Sequence, residues 1–307
     1  MLPPARQRLF PTARQRLFPT ARQRPFPPAR QRLFPTARDE AEVANAPTAT
    51  SQTEHPAYAL AFQDTEFLLK DELRPVRLQL ELMKAELALS EAGIASTFVI
   101  YGSARIPAPE DAEALVAAAA PGEARAVAER LAAKSRYYTV ARDLARLASS
   151  VPADAAGKQF VVCSGGGPSI MEAANRGAAD VGAVSIGLNI VLPFEQVPNP
   201  YVTPGLSFQF HYFALRKMHF LMRAKAVAAF PGGFGTFDEL FELLTLVQTG
   251  KVAPLPILLF GREYWSRVID FEALADEGTI ARGDLDLFHI VETADEAWAM
   301  VRAHYGM

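Results

Sequence analysis

Two stretches of the chain combine glycine with residues able to hold or act on a charged ligand. Phe230-Pro231-Gly232-Gly233-Phe234-Gly235-Thr236 runs on into Phe237-Asp238-Glu239, and Cys163-Ser164-Gly165-Gly166-Gly167-Pro168 follows the apolar Phe160-Val161-Val162. Glycine accepts φ > 0 and close backbone approach, so successive N–H groups in such turns can form an anion-binding nest at a helix N-terminus. The plainer alternative is a tight strand-to-helix turn, with Pro168 as the first helical residue. One glycine cluster is a weak signal, whereas two in one chain favour a nucleotide or sugar phosphate. Neither stretch is a Walker A loop, because no Gly-Lys-Ser/Thr follows, and neither has the Gly-x-Gly-x-x-Gly dinucleotide spacing. A monophosphate fits these turns better than a triphosphate or NAD.

Charged residues stand near both turns. Thr236-x-x-Glu239 reads as a capping box, which accounts for both residue types without chemistry. If the same turn binds phosphate, Glu239 must point elsewhere, towards the ribose and glycosidic bond, and becomes a candidate catalytic carboxylate. Arg216-Lys217 lies among Phe210, Tyr212, Phe213, Leu215, Met218 and Phe220, an unusually apolar setting for two cations. It reads either as a solvated helix face or as a site for bidentate recognition of phosphate or carboxylate. The five histidines, His55, His211, His219, His289 and His304, show no metal-ligand spacing. No Gly-x-Ser-x-Gly elbow is present.

These residues need a scaffold, and the apolar pattern supplies one. Thr97–Tyr101, Phe160–Cys163, Val184–Val191, Ala226–Phe230, Pro256–Phe260 and Phe288–Val291 read as buried strands. Helical patterns separate most of them, over Tyr137–Ala148, Pro168–Ala179, His211–Ala224, Thr236–Gln248, Tyr264–Ala275 and Ala294–Ala303. Upstream, Pro75 followed by Val76, Leu80, Met83 and Leu87 gives an apolar helical stripe. Alternating strands and helices imply an α/β fold with a doubly wound parallel sheet covered on both faces. Such sheets bind ligands at the carboxyl ends of their strands, which is where the glycines fall.

Composition bounds the rest. At 307 residues and 50% hydrophobic the chain can fill a large core. Its net charge of −3 is deceptive: nine of the 31 Lys and Arg fall in the first 38 residues and all 34 acids come later, so the remainder is acidic by twelve charges. The basic segment is an octad, Ala-Arg-Gln-Arg-Leu-Phe-Pro-Thr, over residues 5–12 and 13–20, altered over 21–28 and intact over 29–36. A proline every eight residues blocks helix propagation and two apolar residues per octad cannot build a core, so residues 1–57 are expected to be a disordered arm and linker ahead of one domain at 58–307. The repeat reads as a tandem expansion or the product of an upstream start codon; an arm contacting RNA or an anionic membrane is the functional alternative. The acidic body argues against nucleic acid or membrane as a partner. The single Cys163 excludes an internal disulfide and favours a reducing, cytoplasmic setting.

Taken in order, Gly102-Ser103-Ala104-Arg105, the run from Ser164 to Asn175, Leu192-Pro193-Phe194-Glu195, Leu215-Arg216-Lys217 and Pro231-Gly232-Gly233-Phe234-Gly235-Thr236-Phe237-Asp238-Glu239 closely resemble the Lonely-Guy family of nucleoside 5′-monophosphate phosphoribohydrolases, once labelled lysine decarboxylases. The resemblance covers about residues 60 to 285, with an insert around Pro107 to Arg136, and is to the long bacterial branch. It implies a Rossmann-like fold with an N-terminal helical extension and Glu239 and Arg216 as the catalytic pair. Substrate contacts would come from Gly233, Phe234, Gly235, Thr236, Glu195, Lys217 and Thr245, together with Ser103, Gly165, Gly166 and Gly167. It also implies a homodimer or homotetramer that needs no metal or organic cofactor. Decarboxylation needs an electron sink such as pyridoxal phosphate, and no lysine has an evident Schiff-base setting. The expected reaction is hydrolysis of the N-glycosidic bond of AMP or an N6-substituted AMP, such as a cytokinin riboside monophosphate. Non-catalytic molybdenum-cofactor carriers share a similar architecture; they are the alternative, and are expected to lack the Arg–Glu pair.

Overall fold

Every residue of the first strand, β1 (Thr97–Tyr101), is buried, and its side chains alternate between two separate apolar clusters. Phe98 and Ile100 enter one; Val99 and Tyr101 enter the other. The same alternation runs through β2 (Val161–Ser164), β5 (Ala224–Ala229) and β6 (Ile257–Phe260), so the sheet is apolar on both faces and must be covered on both. With β3 (Ile186–Ile190), β4 (Ser207–Phe210) and β7 (His289–Val291), these strands form a seven-stranded, all-parallel sheet in the order β4-β3-β2-β1-β5-β6-β7. The chain runs outward from β1 to β4, then returns to place β5 beside β1, so the topological switch point lies between those two central strands.

The computed structural model describes residues 35–44, 48–193 and 197–307. The octads, apart from Pro35 and Thr36, lie outside the described residues, as do residues 45–47 and Glu195. The chain divides into two units, Met1–Leu68 and Leu69–Met307. In the first, α1 (Ala37–Ala44) opens on a reciprocal cap in which Thr36 Oγ1 accepts from Asp39 N and Asp39 accepts from Thr36 N. A short helix, α2 (Thr65–Leu68), ends this unit.

The second unit holds the sheet and its covering helices: α3 (Arg74–Glu91), α4 (Ala112–Ala118), α5 (Glu123–Ala132), α6 (Arg136–Ser149), α7 (Ile170–Asp180), α8 (Phe213–Met222), α9 (Phe234–Gln248), α10 (Arg262–Val268), α11 (Phe271–Asp276) and α12 (Ala294–Tyr305). Residues of α6, α7 and α12 cover one face; residues of α3, α8, α9 and α10 cover the other. The fold is thus the Rossmann-like α/β arrangement that the sequence predicts, with local departures. Strand β4 at the sheet edge has no counterpart in the sequence reading. The helix expected over Tyr264–Ala275 is two helices, because Asp270 leaves helical geometry and caps α11 by accepting from Ala273 N at 3.0 Å. The helix expected to end at Ala224 stops at Met222, since Ala224 already pairs with Thr97 as the first residue of β5. In α3 the stripe of Val76, Leu80, Met83 and Leu87 faces outward; a second stripe of Leu78, Leu82, Ala85 and Leu89 packs inward. Among the described residues no helix is long and apolar enough to cross a membrane.

Helices α6 and α7 pack closely over Gly177, where an added methyl would meet the Arg142 carbonyl and stand 2.7 Å from Ala145 Cβ. Alanine is better than glycine in a helix interior by about 1 kcal/mol, whereas overpacking against a backbone that cannot rotate away costs about 1–3 kcal/mol. Gly177→Ala should therefore lower the melting temperature by several degrees; a raised value in thermal denaturation would show that the two helices separate freely.

Candidate active site

The loops that leave β1 and β5 meet at the switch point. Ser103 N donates to Pro231 O at 3.0 Å, tying the Gly102–Arg105 loop to the glycine turn after β5. Helix α9 starts at Phe234 with Gly233 as its N-cap, three residues before the capping-box pattern places it. Thr236 is therefore inside the helix, buried against Gly232, where any Cβ would collide with its side chain. Glu239 stands in the second turn and caps nothing, so the capping account of Thr236 and Glu239 does not hold. Among the described residues no side chain caps α9, which leaves its first-turn amides to the space in front of the sheet.

That space is a cleft of about 860 Å³, lined from the β1 and β5 loops across to β3 and β4. Its volume lies in the range of small-molecule sites. A smaller depression of about 380 Å³ between Pro109 and Asp180 is lined by cations already paired, Arg142 with Asp180 and Arg146 with Asp143. The charge chemistry is in the larger one.

Arg216 reaches the cleft from α8, which α3 clamps at both ends. The Glu81 carboxylate accepts from His211 N (2.8 Å) and Tyr212 N (3.2 Å) at the start of α8, and Glu86 pairs with Arg223 at its end, one contact at 2.6 Å. Between these clamps Arg216, only 9% exposed, donates from Nε to Leu188 O at 2.7 Å and from one Nη to Glu239 Oε1 at 3.2 Å. Its guanidinium lies 5.1 Å over the Phe220 ring. Gly165 makes this placement possible: a Cβ there would stand 2.7 Å from Arg216 Nη2 and 2.8 Å from Met171 Sδ.

Both members of the pair lose solvation, and burial outweighs their mutual attraction. It pushes the Glu239 carboxyl up to about 7, against the lowering effect of Arg216, and pulls the Arg216 guanidinium down. A carboxyl poised near neutral pH inside a cleft is a mark of functional sites. Burial likewise raises the Tyr101 hydroxyl and the Cys163 thiol behind the pair.

The structure brings together Ser103, Gly165, Arg216, Gly233, Phe234, Gly235, Thr236 and Glu239 in the cleft lining. Five of the expected residues lie elsewhere or outside the described residues. Gly166, at φ +74°, has the Asn189 amide where a side chain would be, and its N–H donates to Ser164 Oγ at 3.0 Å; the Gly166 and Gly167 carbonyls accept from Asn199 Nδ2. These two glycines serve an internal polar network. Part of their turn's strain passes to Ser169, at φ +67°, whose hydroxyl donates to Ile106 O, and α7 begins at Ile170 instead of Pro168. Lys217 is turned to the far side of α9, bonded to Asp238 (2.9 Å) and Glu242 (3.0 Å). Thr245 is exposed and donates to Phe241 O. Glu195 lies outside the described residues. The lining also includes Arg105, Met171, Asn189, Ser207, Gln209 and Phe213, to which the sequence reading assigns no role. Ser207 and Gln209 sit on β4, which only the assembled sheet reveals. Among the described residues no group of three or more His, Cys, Asp or Glu is placed to hold a metal.

Fold and site together define a Rossmann-like α/β protein with a charged cleft at its switch point. Residues 171–301 match the model of a family described as "possible lysine decarboxylase". The matched segment contains Arg216 and Glu239, within the motifs that resemble the Lonely-Guy family. No curated protein matches the chain. Similar solved structures include a structural-genomics protein named TM1055 (18% identity over 68% of this chain and 99% of that one, TM-score 0.42). Others are the molybdenum cofactor binding protein of Rippkaea orientalis (15%, 69% and 99%, TM-score 0.42) and a molybdenum cofactor carrier protein from Chlamydomonas reinhardtii (16%, 68% and 96%, TM-score 0.40).

The Glu239 carboxyl carries a sign that stability measurements can read. Its folded pKa, about 7, exceeds its ordinary value of 4.5, so its contribution is fully present below about pH 4.5 and is lost as pH rises through about 7. Glu239→Gln should flatten the fall in stability of the folded protein between these pH values; identical pH profiles in denaturant titrations would show that the group ionises freely. Gly165→Ala should displace the guanidinium from Glu239 and, where the Glu239 carboxyl is followed by NMR, move its titration.

Proposed function

We propose that the protein hydrolyses the N-glycosidic bond of a purine nucleoside 5′-monophosphate, AMP or an N6-substituted AMP, to free base and ribose 5-phosphate. The observation that carries this reading is the buried Arg216–Glu239 pair on the cleft lining, with the carboxyl near neutrality and the uncapped start of α9 beside it. Loss of the base leaves positive charge on C1′ and the ring oxygen, which an ionised Glu239 stabilises while it takes a proton from the attacking water. Water oxygen bonds to C1′ as the C1′–N bond breaks; the bonding electrons leave with the base, which is protonated at nitrogen on release. Arg216 stays protonated, so its part is to hold Glu239 and balance its charge, not to donate the proton. Amides at the start of α9 suit the phosphate, and Ile190, Leu192, Phe208 and Phe213 offer apolar walls to the base. Phosphate binding then supplies remote energy that orients the reacting carbon.

The competing reading is a non-catalytic carrier, of the kind that two of the similar structures are named for. A carrier has no use for a carboxyl held near its ionisation point in the binding cleft, which favours the enzyme. A homo-oligomeric assembly forms part of the proposal through the family resemblance.

Chromatographic assay of base release from AMP, GMP, CMP, IMP and isopentenyl-AMP tests the reading. AMP should be turned over at least about a hundredfold faster than adenosine; equal rates would remove the phosphate from the account. Activity should rise with pH along a limb near 7, as Glu239 ionises, and Glu239→Ala should abolish base release with the fold intact. A co-purified near-ultraviolet chromophore with no base release from any nucleotide would instead support the carrier.

A further inference from the structure

Among the described residues, three charged side chains line the cleft: Arg105, Arg216 and Glu239. Arg216 and Glu239 are spent on each other. Lys217, the other cation of the motif, is bonded to Asp238 and Glu242 and does not line the cleft. Arg105 is different. Its side chain has no ion pair and no hydrogen-bond partner among the described residues, and the residue is exposed at the cleft.

Its backbone, by contrast, is held on both sides. Arg105 N donates to Ser103 Oγ at 3.0 Å, and Ser103 N donates to Pro231 O at 3.0 Å, which places the residue beside the turn that starts α9. The next residue, Ile106, is 1% exposed, and its carbonyl accepts from the Ser169 hydroxyl. A fixed backbone thus presents a free guanidinium at the loop that abuts the Gly233–Thr236 turn.

Charge balance says what it is for. A phosphate monoester carries about −1.5 to −2 at pH 7, and it would enter a cleft whose Glu239 is partly ionised. The helix terminus offers roughly +0.5, and Arg216 is turned to the Leu188 carbonyl and Glu239. Without another cation, the bound dianion and the carboxylate would repel each other in a partly desolvated site.

We infer that Arg105 is the substrate-binding residue that holds the 5′-phosphate, forming with the Gly233–Thr236 turn the anion end of the cleft and setting the preference for monophosphates over nucleosides. This rests on the proposed function for the identity of the ligand, but not for the binding of phosphate itself. Arg105 points to recognition by charge-assisted, fork-shaped hydrogen bonding, which a lysine reproduces only in part.

Isothermal titration of the full chain with ribose 5-phosphate and with ribose, alongside AMP and adenosine kinetics, tests it. In Arg105→Ala, ribose 5-phosphate affinity should fall about 10- to 100-fold, the range for a lost charge-assisted hydrogen bond. KM for AMP should rise by a similar factor with kcat changed only a few-fold, adenosine turnover should not move, and Arg105→Lys should recover part of the loss. Melting temperature within a few degrees of wild type shows that the variant is folded. Unchanged ribose 5-phosphate affinity in Arg105→Ala overturns the inference even if AMP is hydrolysed. Arg105-dependent binding of ribose 5-phosphate without base release from any nucleotide upholds it and overturns the hydrolase reading. No binding of ribose 5-phosphate by the wild type overturns both.

Discussion

Burying a guanidinium and a carboxyl together is the constraint around which the second unit is arranged. Each group loses most of its hydration, and the Coulomb attraction between them does not restore it, as the elevated Glu239 pKa shows. The fold compensates with fixed partners: the Leu188 carbonyl in the middle of β3, the face of Phe220, and an empty side-chain position at Gly165. Remove any of these and the pair has either no room or no second bond. A stability-neutral solution would place apolar groups there, so an ion pair retained at this depth points to chemistry.

The clamps around α8 follow from the same need. Arg216 must be held in place, because its contact with the Glu239 carboxyl is a single one at 3.2 Å. Glu81 anchors the start of α8 through backbone N–H groups and Glu86 anchors its end through Arg223, so α3 sets the position of a residue it does not touch. Lys217 contributes in the same indirect manner. By bonding Asp238 and Glu242, it ties α8 to α9 and screens two acids that would otherwise add their repulsion to the Glu239 carboxylate. A residue read as a substrate contact thus acts on the site from the opposite side of the helix.

The two glycine turns look alike as strings and serve different ends. Gly233 and Gly235 border open space, where an added side chain would meet nothing, and their turn faces the cleft. Gly165 makes room for a guanidinium, while Gly166 and Gly167 belong to a hydrogen-bonded network through Ser164, Asn175, Asn189 and Asn199. Glycine is required at Gly232, Gly165 and Gly166 because of what surrounds the backbone, which no local pattern encodes.

Local chemistry was enough for most of the framework. Short apolar runs marked six of the seven strands; their alternation with helices required a parallel sheet, and the motifs from Gly102 to Glu239 pointed to one site. Those features are legible because burial on two faces and glycine-dependent turns constrain residue type one position at a time. What depends on distant neighbours was not legible. The short edge strand β4, and with it Ser207 and Gln209, carries only a weak alternating pattern. The outward stripe on α3 is as apolar as the inward one, so periodicity could not choose between them. The start of α9 at Phe234, which moves Glu239 out of a capping role, and the direction in which Arg105 and Lys217 point, are decided by packing between elements far apart in the chain. Sequence alone established that a charged, glycine-lined cleft would form; only the tertiary structure decided which charges cancel within it and which is left to meet a ligand.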